Sequence, residues 1–374
     1  MRNAIEDPPE AKPVYFIVGC PRSGSYLLSS ILNASGRIAI PTETHFAPLF
    51  LPYLWMAGDL RNLKARRRVL KAIFMFLRIW LVRAEEERDY AAVTRHSLLA
   101  VEPESDRIID SVRNYAGIVS GLFMAYARQH GALDAGDKSA FFDHMPLDKI
   151  DTAMGGRARF IHVVRDGRDV CVSWCRIKVG PRTMKEAAIS WSAHIEGKQS
   201  WGRKNPDRYL EVRYEDLLTY PKKTLLEICA FVNLKYTDSL LDFHKTQYAN
   251  DIAKGSSHAQ LNKPLNSENQ GKWKNALSNS EIYEFESIAG GALKSAGYIP
   301  LNEKNVSNWP QTRMKNKTTI RHLRLKLKNL LPFFAIIASW LKFRLDRLCN
   351  SRIWLRTENW LLLKTSFGRT KCSG

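Results

Sequence analysis

The chain has 374 residues, 45% of them hydrophobic, so it can bury the core of one large domain and still leave room for an appendage. Its 57 basic and 37 acidic residues give a net charge of +20, and residues 302–374 alone hold 16 basic against 3 acidic residues. This composition excludes a disordered or fibrous chain, because the hydrophobic share is ordinary for a globular protein.

Residues 1–13 are acidic and proline-rich, which predicts a disordered lead with no secretory signal. Apolar runs that alternate with helical patterns then predict a parallel α/β sheet covered by helices on both faces. The predicted strands are residues 14–18, 133–137, 159–164 and 208–212. The predicted helices include residues 25–35, 115–129, 144–154 and 184–201. In such a sheet, functional groups gather at the carboxyl ends of the strands.

The first predicted strand runs into a glycine-bounded loop, GCPRSG, and then into a helix. Free backbone N–H groups and the helix dipole converge at such a junction, so it predicts an anion site. Gly19 and Gly24 have the spacing of the glycines in a nucleoside-triphosphate loop, but Ser25 and Tyr26 stand where that motif requires Lys and Ser/Thr. The only cation of the loop is Arg22. The pattern favours a phosphate loop that does not serve Mg-ATP.

A second strand, residues 159–164, ends in the sequence RDGRDVCVSW at the start of another helix. Arg165 and Ser173 fall on one face of that helix, where a guanidinium and a hydroxyl can hold a phosphate. Taken alone, the RDGRD stretch is equally consistent with a solvated turn closed by an internal Arg–Asp pair. The presence of the first loop favours the phosphate interpretation.

Six cysteines are scattered without a CxxC pair or a Cys/His cluster at zinc spacing, which predicts a reduced, cytoplasmic protein with no bound metal. The longest charge-free run near the C-terminus, residues 329–341, is shorter than the roughly 20 residues that span a bilayer. Residues 61–83 and 318–363 mix basic residues with Leu, Phe and Trp, which suits either packing helices or an anionic membrane surface. Residues 301–374 are therefore predicted to form a basic amphipathic helical extension, better suited to lipid than to nucleic acid.

The motifs GCPRSGSYLL and RFIHVVRDGRDVCVSW occur together and in this order. In that combination the chain resembles the sulfotransferases that use 3′-phosphoadenosine 5′-phosphosulfate (PAPS), from near Val14 to Tyr298 and closest to the branch that sulfates protein tyrosines. The resemblance implies a P-loop-like three-layer sandwich with a central parallel sheet flanked by helices, formed by residues 14–300. It also implies PAPS as the sulfuryl donor and no metal.

The resemblance also implies roles for individual positions. The cofactor-binding positions are Arg22, Ser23, Gly24, Ser25 and Tyr26 in the first loop, Arg165 and Ser173 at the 3′-phosphate, and Tyr214, Ser257 and Lys272 around the nucleotide. The catalytic positions are Arg22 at the phosphosulfate bridge, Lys138 at the leaving phosphate, Glu43 as the base and His45 as the rival base. Burial in a partly dry cleft is expected to raise the pKa of Glu43 and so suit it to take a proton.

Two departures from the family pattern lie on the acceptor side. Ser25 and Tyr26 stand where a Thr-Thr or Thr-Ser pair is usual, and His45 replaces an arginine beside the base. These changes weaken the case for a tyrosyl acceptor. The basic amphipathic stretches instead favour a hydroxyl on a glycan, a lipid-linked sugar or a lipid, reached by an enzyme held peripherally at a membrane. Tyrosine sulfation, a kinase or GTPase, and a nucleic-acid-binding protein are the alternatives.

Overall fold

A computed structural model describes residues 12–84, 95–138, 146–177, 180–254 and 258–301. Its strands are β1 (Val14–Gly19), β2 (Ile38–Ala39), β3 (Asp134–Lys138), β4 (Ala158–Val164) and β5 (Tyr209–Arg213). They form one parallel sheet in the order β2-β3-β1-β4-β5. The predicted parallel sheet is therefore confirmed. Strand β2 was not predicted, because two residues are too few to show an apolar pattern.

Helices connect the strands and cover the sheet. They are α1 (Ser25–Ala34), α2 (Phe46–Phe50), α3 (Leu63–Ala84), α4 (Ser105–Ser111), α5 (Tyr115–Gln129), α6 (Leu147–Ala153), α7 (Gly167–Trp174), α8 (Met184–Lys204), α9 (Tyr214–Thr219), α10 (Pro221–Phe231), α11 (Gln247–Ala253), α12 (Trp273–Ala276) and α13 (Asn279–Ser295). Short 3₁₀ segments occupy Leu51–Ala57, Leu98–Glu104, Pro206–Arg208 and Asp238–Lys245. Of the helix predicted at 144–154, residues 147–153 are helical and residues 144 and 145 lie outside the described residues; the helix predicted at 184–201 extends to Lys204.

The central strand β1 explains the three layers. All six of its residues are buried, and successive side chains point to opposite faces of the sheet. Phe16 and Val18 pack into a core shared with α3 and α5, whereas Tyr15 and Ile17 pack into a second core shared with α1 and α10. A strand that is apolar on both faces needs a helical layer on each side, and the predicted three-layer sandwich is confirmed.

The basic stretch at residues 61–83 coincides closely with α3. Val69, Ile73 and Phe76 of this helix are buried in the first core, and Lys64 and Lys71 are exposed. The apolar side of this stretch therefore packs into the core, as the packing-helix interpretation expects. The predicted extension at 301–374 lies outside the described residues except for Leu301, as does the predicted disordered lead up to residue 11, and the domain limits stay a prediction.

The sheet determines where the functional loops meet. Since β1, β3, β4 and β5 are parallel, their carboxyl ends lie at one edge. The loop of Arg22 follows β1, Lys138 ends β3, Arg165 follows β4 and Tyr214 follows β5. Four predicted site residues therefore gather at the same edge of the sheet.

Candidate active site

The loop between β1 and α1 contains two residues with left-handed backbone, Arg22 at φ 72° and Gly24 at φ 98°. Between them, Ser23 donates its N–H to the Cys20 carbonyl at 3.1 Å and is fully buried. Gly24 stands at the N-cap of α1 and offers no side chain to cap the first turn. The N–H groups of that turn are therefore directed toward the loop, which is the arrangement of anion sites at helix N-termini.

The second loop contacts the first. Nε of Arg22 donates a hydrogen bond to Oγ of Ser173 at 2.9 Å, and Nη1 of Arg165 donates to the Arg22 carbonyl at 3.3 Å. The internal Arg–Asp pair considered from the sequence is also present, but its closest contact uses Arg168, which binds Asp166 at 2.7 Å. Arg165 and Ser173 therefore face the first loop while Arg168 stabilises the turn.

Tyr214 joins the two loops from the end of β5. The Arg165 guanidinium lies 4.5 Å from the centroid of its ring, within the range of a cation–π contact. The same ring packs on Gly24, where a Cβ atom would stand only 2.4 Å from Cδ2 of Tyr214. Glycine is therefore required at position 24 both by its backbone conformation and by this close approach.

The segment that contains Asn269 and Gly271, just before α12, packs over Arg165. It is held there by Asn269 and Asp169, neither of which was predicted from the sequence. Nη2 of Arg165 donates a hydrogen bond to the Asn269 carbonyl at 3.0 Å, and Nδ2 of Asn269 donates one to the Tyr214 hydroxyl at 2.7 Å. Asp169 accepts the Gly271 N–H at 2.6 Å and lies 3.8 Å from Nη2 of Arg165. The residue types Asn and Asp carried no signal here, because Tyr214 lies 55 residues from Asn269 along the chain and Gly271 lies 102 residues from Asp169.

Glu43 lies in the loop between β2 and α2, with its side chain 12% exposed. One carboxylate oxygen forms an ion pair with Nζ of Lys138, and the other lies 3.2 Å from Nε2 of His45. Burial raises the pKa of Glu43, but the Lys138 ammonium and His45 outweigh burial and hold the pKa below its usual range. The expectation of a raised pKa is therefore wrong, because it counted the dry environment and not the cation at the end of β3.

Arg22, Arg165 and Lys138 thus lie with Glu43 at one edge of the sheet, an arrangement that can hold a doubly anionic ligand and accept a proton. The model of the sulfotransferase family matches residues 13–238 of the chain. The chain belongs to the sulfotransferase family. The predicted resemblance to PAPS-dependent sulfotransferases, nearest the tyrosine-sulfating branch, is confirmed.

The sulfotransferase resembles known members at low identity. It is 23% identical over 299 residues to protein-tyrosine sulfotransferase 1 of Danio rerio, covering 77% of this chain and 73% of that one. It is 26% identical over 302 residues to protein-tyrosine sulfotransferase A of Caenorhabditis elegans, covering 77% and 68%. The sulfotransferase domain from the curacin biosynthetic pathway has the same fold, with a TM-score of 0.50, 18% identity and coverage of 77% of this chain and 99% of that one.

A polar cluster, which was not predicted from the sequence, contacts the loop of Glu43 in this sulfotransferase. Thr42 donates its N–H to the His96 carbonyl at 2.7 Å, and Nε2 of His96 lies 3.0 Å from Oδ2 of Asp251. The same oxygen accepts Nη1 of Arg95 at 2.7 Å. The cluster therefore connects α11 to the residue next to Glu43.

Asp251 is the centre of this cluster, and its side chain is completely buried. Burial raises the pKa of Asp251, but hydrogen bonds from Gln247, Lys254 and His96 lower it to about 2. The carboxylate is therefore charged in the folded sulfotransferase and is satisfied by several donors, as a buried charge requires.

Of the last two predicted nucleotide contacts, one lies within the described residues. Lys272 is exposed at the N-cap of α12, next to Gly271 of the segment that packs over Arg165, and Ser257 lies outside the described residues. Among residues 12–84, 95–138, 146–177, 180–254 and 258–301, no group of three His, Cys, Asp or Glu is arranged to bind a metal ion. In the same ranges, no helix is both long and apolar enough to cross a bilayer.

Proposed function

We propose that this sulfotransferase transfers the sulfuryl group of PAPS to a hydroxyl group of an acceptor. The observation that carries the proposal is the contact between the two loops, in which Arg22 binds Ser173 and Arg165 binds the Arg22 carbonyl. Because the Arg165 guanidinium contacts the backbone of Arg22 and the Arg22 guanidinium contacts Ser173, a single nucleotide with phosphate groups at both ends of its ribose can contact both arginines through charge-assisted hydrogen bonds.

The first loop has the groups that a phosphosulfate requires. Ser23 has a buried Oγ with no hydrogen-bond partner within the described part of the chain, and the first turn of α1 has no side-chain cap. The phosphosulfate is assigned to Arg22, the backbone of Ser23 and Gly24, and the first helical residues Ser25 and Tyr26. The rest of the nucleotide is assigned to Arg165 and Ser173 for the 3′-phosphate and to Tyr214, Ser257 and Lys272 around it.

PAPS supplies an activated sulfuryl group, whose transfer is dominated by positioning and electrostatics, as in phosphoryl transfer. Arg22 and Lys138 stabilise the negative charge that grows on the leaving oxygen. Glu43 accepts the proton of the hydroxyl acceptor at a carboxylate oxygen. Its lowered pKa keeps it ionised at neutral pH, and a loose transition state needs only a weak base because the new bond is little formed. His45, which touches Glu43, is the rival base.

For the acceptor, we propose a glycan, a lipid-linked sugar or a lipid, presented at an anionic membrane surface in the cytoplasm. Trp55, which is 76% exposed in the 3₁₀ segment after α2, supports this proposal, as do the exposed lysines Lys64 and Lys71 of α3. Exposed tryptophan and lysine side chains suit a surface of anionic headgroups. The segment of Trp55 continues from the loop of Glu43 through α2, so it lies next to the acceptor side along the chain.

Protein tyrosine is the second candidate acceptor. The relatives from Danio rerio and Caenorhabditis elegans are both named protein-tyrosine sulfotransferases and match 77% of this chain. Against this candidate stand Tyr26 and His45, which depart from the usual pattern and contact Lys138 and Glu43. The two candidates differ in the size and polarity of the group that carries the hydroxyl.

The test is to incubate the purified protein with ³⁵S-labelled PAPS and three acceptor preparations: host membranes, soluble glycans, and acidic tyrosine peptides. Label in lipid or glycan, and none with the Glu43→Gln variant, is the expected result. Label in the peptides assigns the second candidate. If no preparation takes up label and calorimetry detects no binding of adenosine 3′,5′-bisphosphate, the proposal is overturned.

A further inference from the structure

Tyr26 is the second residue of α1 and lies two residues after Gly24, the last residue of the GCPRSG loop. Its ring is only 8% exposed, and Nζ of Lys138 lies 3.5 Å from the centroid of that ring. The ring of His258 packs on Tyr26 with its centroid 4.3 Å away and the two planes at 53°. Position 26 therefore contributes an aromatic ring beside the first loop, where a residue with a small hydroxyl is usual.

The Lys138 ammonium has unusual surroundings for a lysine. The residue is 2% exposed, and its nitrogen pairs with one carboxylate oxygen of Glu43. A single carboxylate does not replace the water that a buried ammonium has lost. The face of an aromatic ring within about 6 Å attracts such a cation by its quadrupole, and this attraction increases when the cation is desolvated.

From this geometry we infer that Tyr26 is a positioning residue, whose ring face holds the Lys138 ammonium against Glu43 and beside the first loop. The inference rests on the proposed function for the roles of Lys138 and Glu43. Lysine has a flexible four-carbon stem and behaves as a point charge, so its position depends on its contacts. Glu43 fixes the ammonium from one direction, and Tyr26 fixes it from another.

The ring, rather than the hydroxyl, is the active feature in this inference. Tyr26→Phe keeps the ring face above Lys138, whereas Tyr26→Leu keeps an apolar side chain without the quadrupole. The two variants are matched, because both lose the hydroxyl and only one loses the cation–π contact. Should the leucine variant fail to fold, Tyr26→Met replaces it as a flexible, non-aromatic side chain.

A pH profile separates positioning from mere packing. The charged or titratable groups that contact Glu43 are Lys138 from β3 and His45 from its own loop, and Tyr26 of α1 touches Lys138 in turn. Because the ammonium lowers the pKa of Glu43, a displaced Lys138 lets that pKa rise. A base acts in its ionised form, so the acidic limb of kcat/KM moves to higher pH in Tyr26→Leu and stays in place in Tyr26→Phe.

A second measurement works whether or not the proposed reaction is correct. Competitive labelling of the full chain with acetic anhydride, quantified at Lys138 by mass spectrometry, reports how firmly the ammonium is held. We expect about tenfold more labelling of Lys138 and an about tenfold lower kcat in Tyr26→Leu than in Tyr26→Phe, because both variants lose the hydroxyl and only Tyr26→Leu loses the ring face. Equal labelling in the three proteins, or equal labelling and kcat defects in the two variants, overturns the inference. Wild type that protects Lys138 but transfers no sulfuryl group supports the positioning and rejects the proposed function instead.

Discussion

Arg22 and Ser173 are 151 residues apart in the chain, yet Nε of Arg22 donates to Oγ of Ser173 at 2.9 Å. The left-handed backbone of Arg22, at φ 72°, is uncommon for a residue with a Cβ atom and is maintained by the loop around it. This contact joins the loop after β1 to the helix after β4. The loop after β1 and the helix after β4, the two elements proposed to bind the nucleotide, are therefore in direct contact.

Replacing Arg22 by alanine removes a cation from the first loop and the donor to Ser173 together. We expect the affinity for adenosine 3′,5′-bisphosphate to fall about 30-fold, since hydrogen bonds to charged groups contribute roughly 1.5–3 kcal/mol. Ser173→Ala removes a neutral hydroxyl and is expected to cost about fivefold. Isothermal titration calorimetry measures both changes.

The matched control is Arg107→Ala, which removes an exposed cation from α4. Its affinity for the bisphosphate is expected to stay within twofold of wild type, because exposed charges far from a ligand are screened by salt. If Arg22→Ala and Arg107→Ala bind equally well, the loops do not form the nucleotide site.

Glu43→Gln keeps the size of the side chain and removes the group that accepts a proton. Turnover is expected to fall by about 10² to 10⁴, while affinity for adenosine 3′,5′-bisphosphate changes little. Steady-state rates with ³⁵S-labelled PAPS measure the first effect, and calorimetry measures the second. Glu227→Gln, an exposed change on α10, is the control for loss of a carboxylate.

His45→Gln tests the rival base in the same assay. His45 contacts Glu43 and contributes to its lowered pKa but does not itself take the proton if Glu43 is the base. In that case, this variant is expected to keep at least about a tenth of the rate. Wild-type rates in Glu43→Gln, together with a loss of more than about 10² in His45→Gln, transfer the role to the histidine.

The sequence was sufficient to predict four of the five strands and the two loops that follow β1 and β4, because these depend on local patterns. A run such as Val14–Gly19 is buried on both faces, and GCPRSG brings its own turn chemistry. The ends of parallel strands meet at one edge, so the loops of Arg22 and Arg165 were expected to be neighbours. Their detailed roles in binding stay predictions.

The direction in which the pKa of Glu43 is shifted was predicted wrongly for a physical reason. Burial is a property that a local sequence indicates, but the ammonium of Lys138 reaches Glu43 from 95 residues away. Asn269 and Asp251 were missed on similar grounds, since their partners come from other elements. Pairwise electrostatics depends on distances of a few ångströms, which spacing along the chain does not determine.

Asp251→Asn is expected to lower the free energy of unfolding by about 2 kcal/mol at pH 7, because the buried carboxylate loses its charge-assisted contacts to Arg95 and His96. The pKa of Asp251 in the folded protein, about 2, lies below its ordinary value of 3.8. A carboxylate whose pKa is depressed by folding stabilises the protein above its unfolded pKa and loses that contribution as the pH falls toward its folded pKa.

Urea unfolding of wild type and Asp251→Asn between pH 7 and pH 2 measures this effect. The difference in stability should be constant above about pH 5 and shrink as the pH falls from there. A constant difference down to the lowest pH shows that the loss comes from packing rather than charge. Because the cluster holds Thr42, the variant is also expected to lower kcat more than it changes affinity for the bisphosphate.

Gly24→Ala introduces both backbone strain and a clash with Tyr214, whereas Gly36→Ala introduces backbone strain alone. Both glycines have left-handed backbone, at φ 98° and φ 64°, but a Cβ at Gly36 meets nothing within 4 Å, whereas one at Gly24 meets the Tyr214 ring at 2.4 Å. Gly36→Ala should therefore lower the free energy of unfolding by about 1 kcal/mol and leave nucleotide affinity unchanged. Gly24→Ala should cost about 3 kcal/mol and also weaken binding of adenosine 3′,5′-bisphosphate at least tenfold, since Tyr214 must move away from the loop and from Arg165. Urea unfolding and calorimetry measure the two effects, and equal losses in both variants would show that the Tyr214 contact does not shape the site.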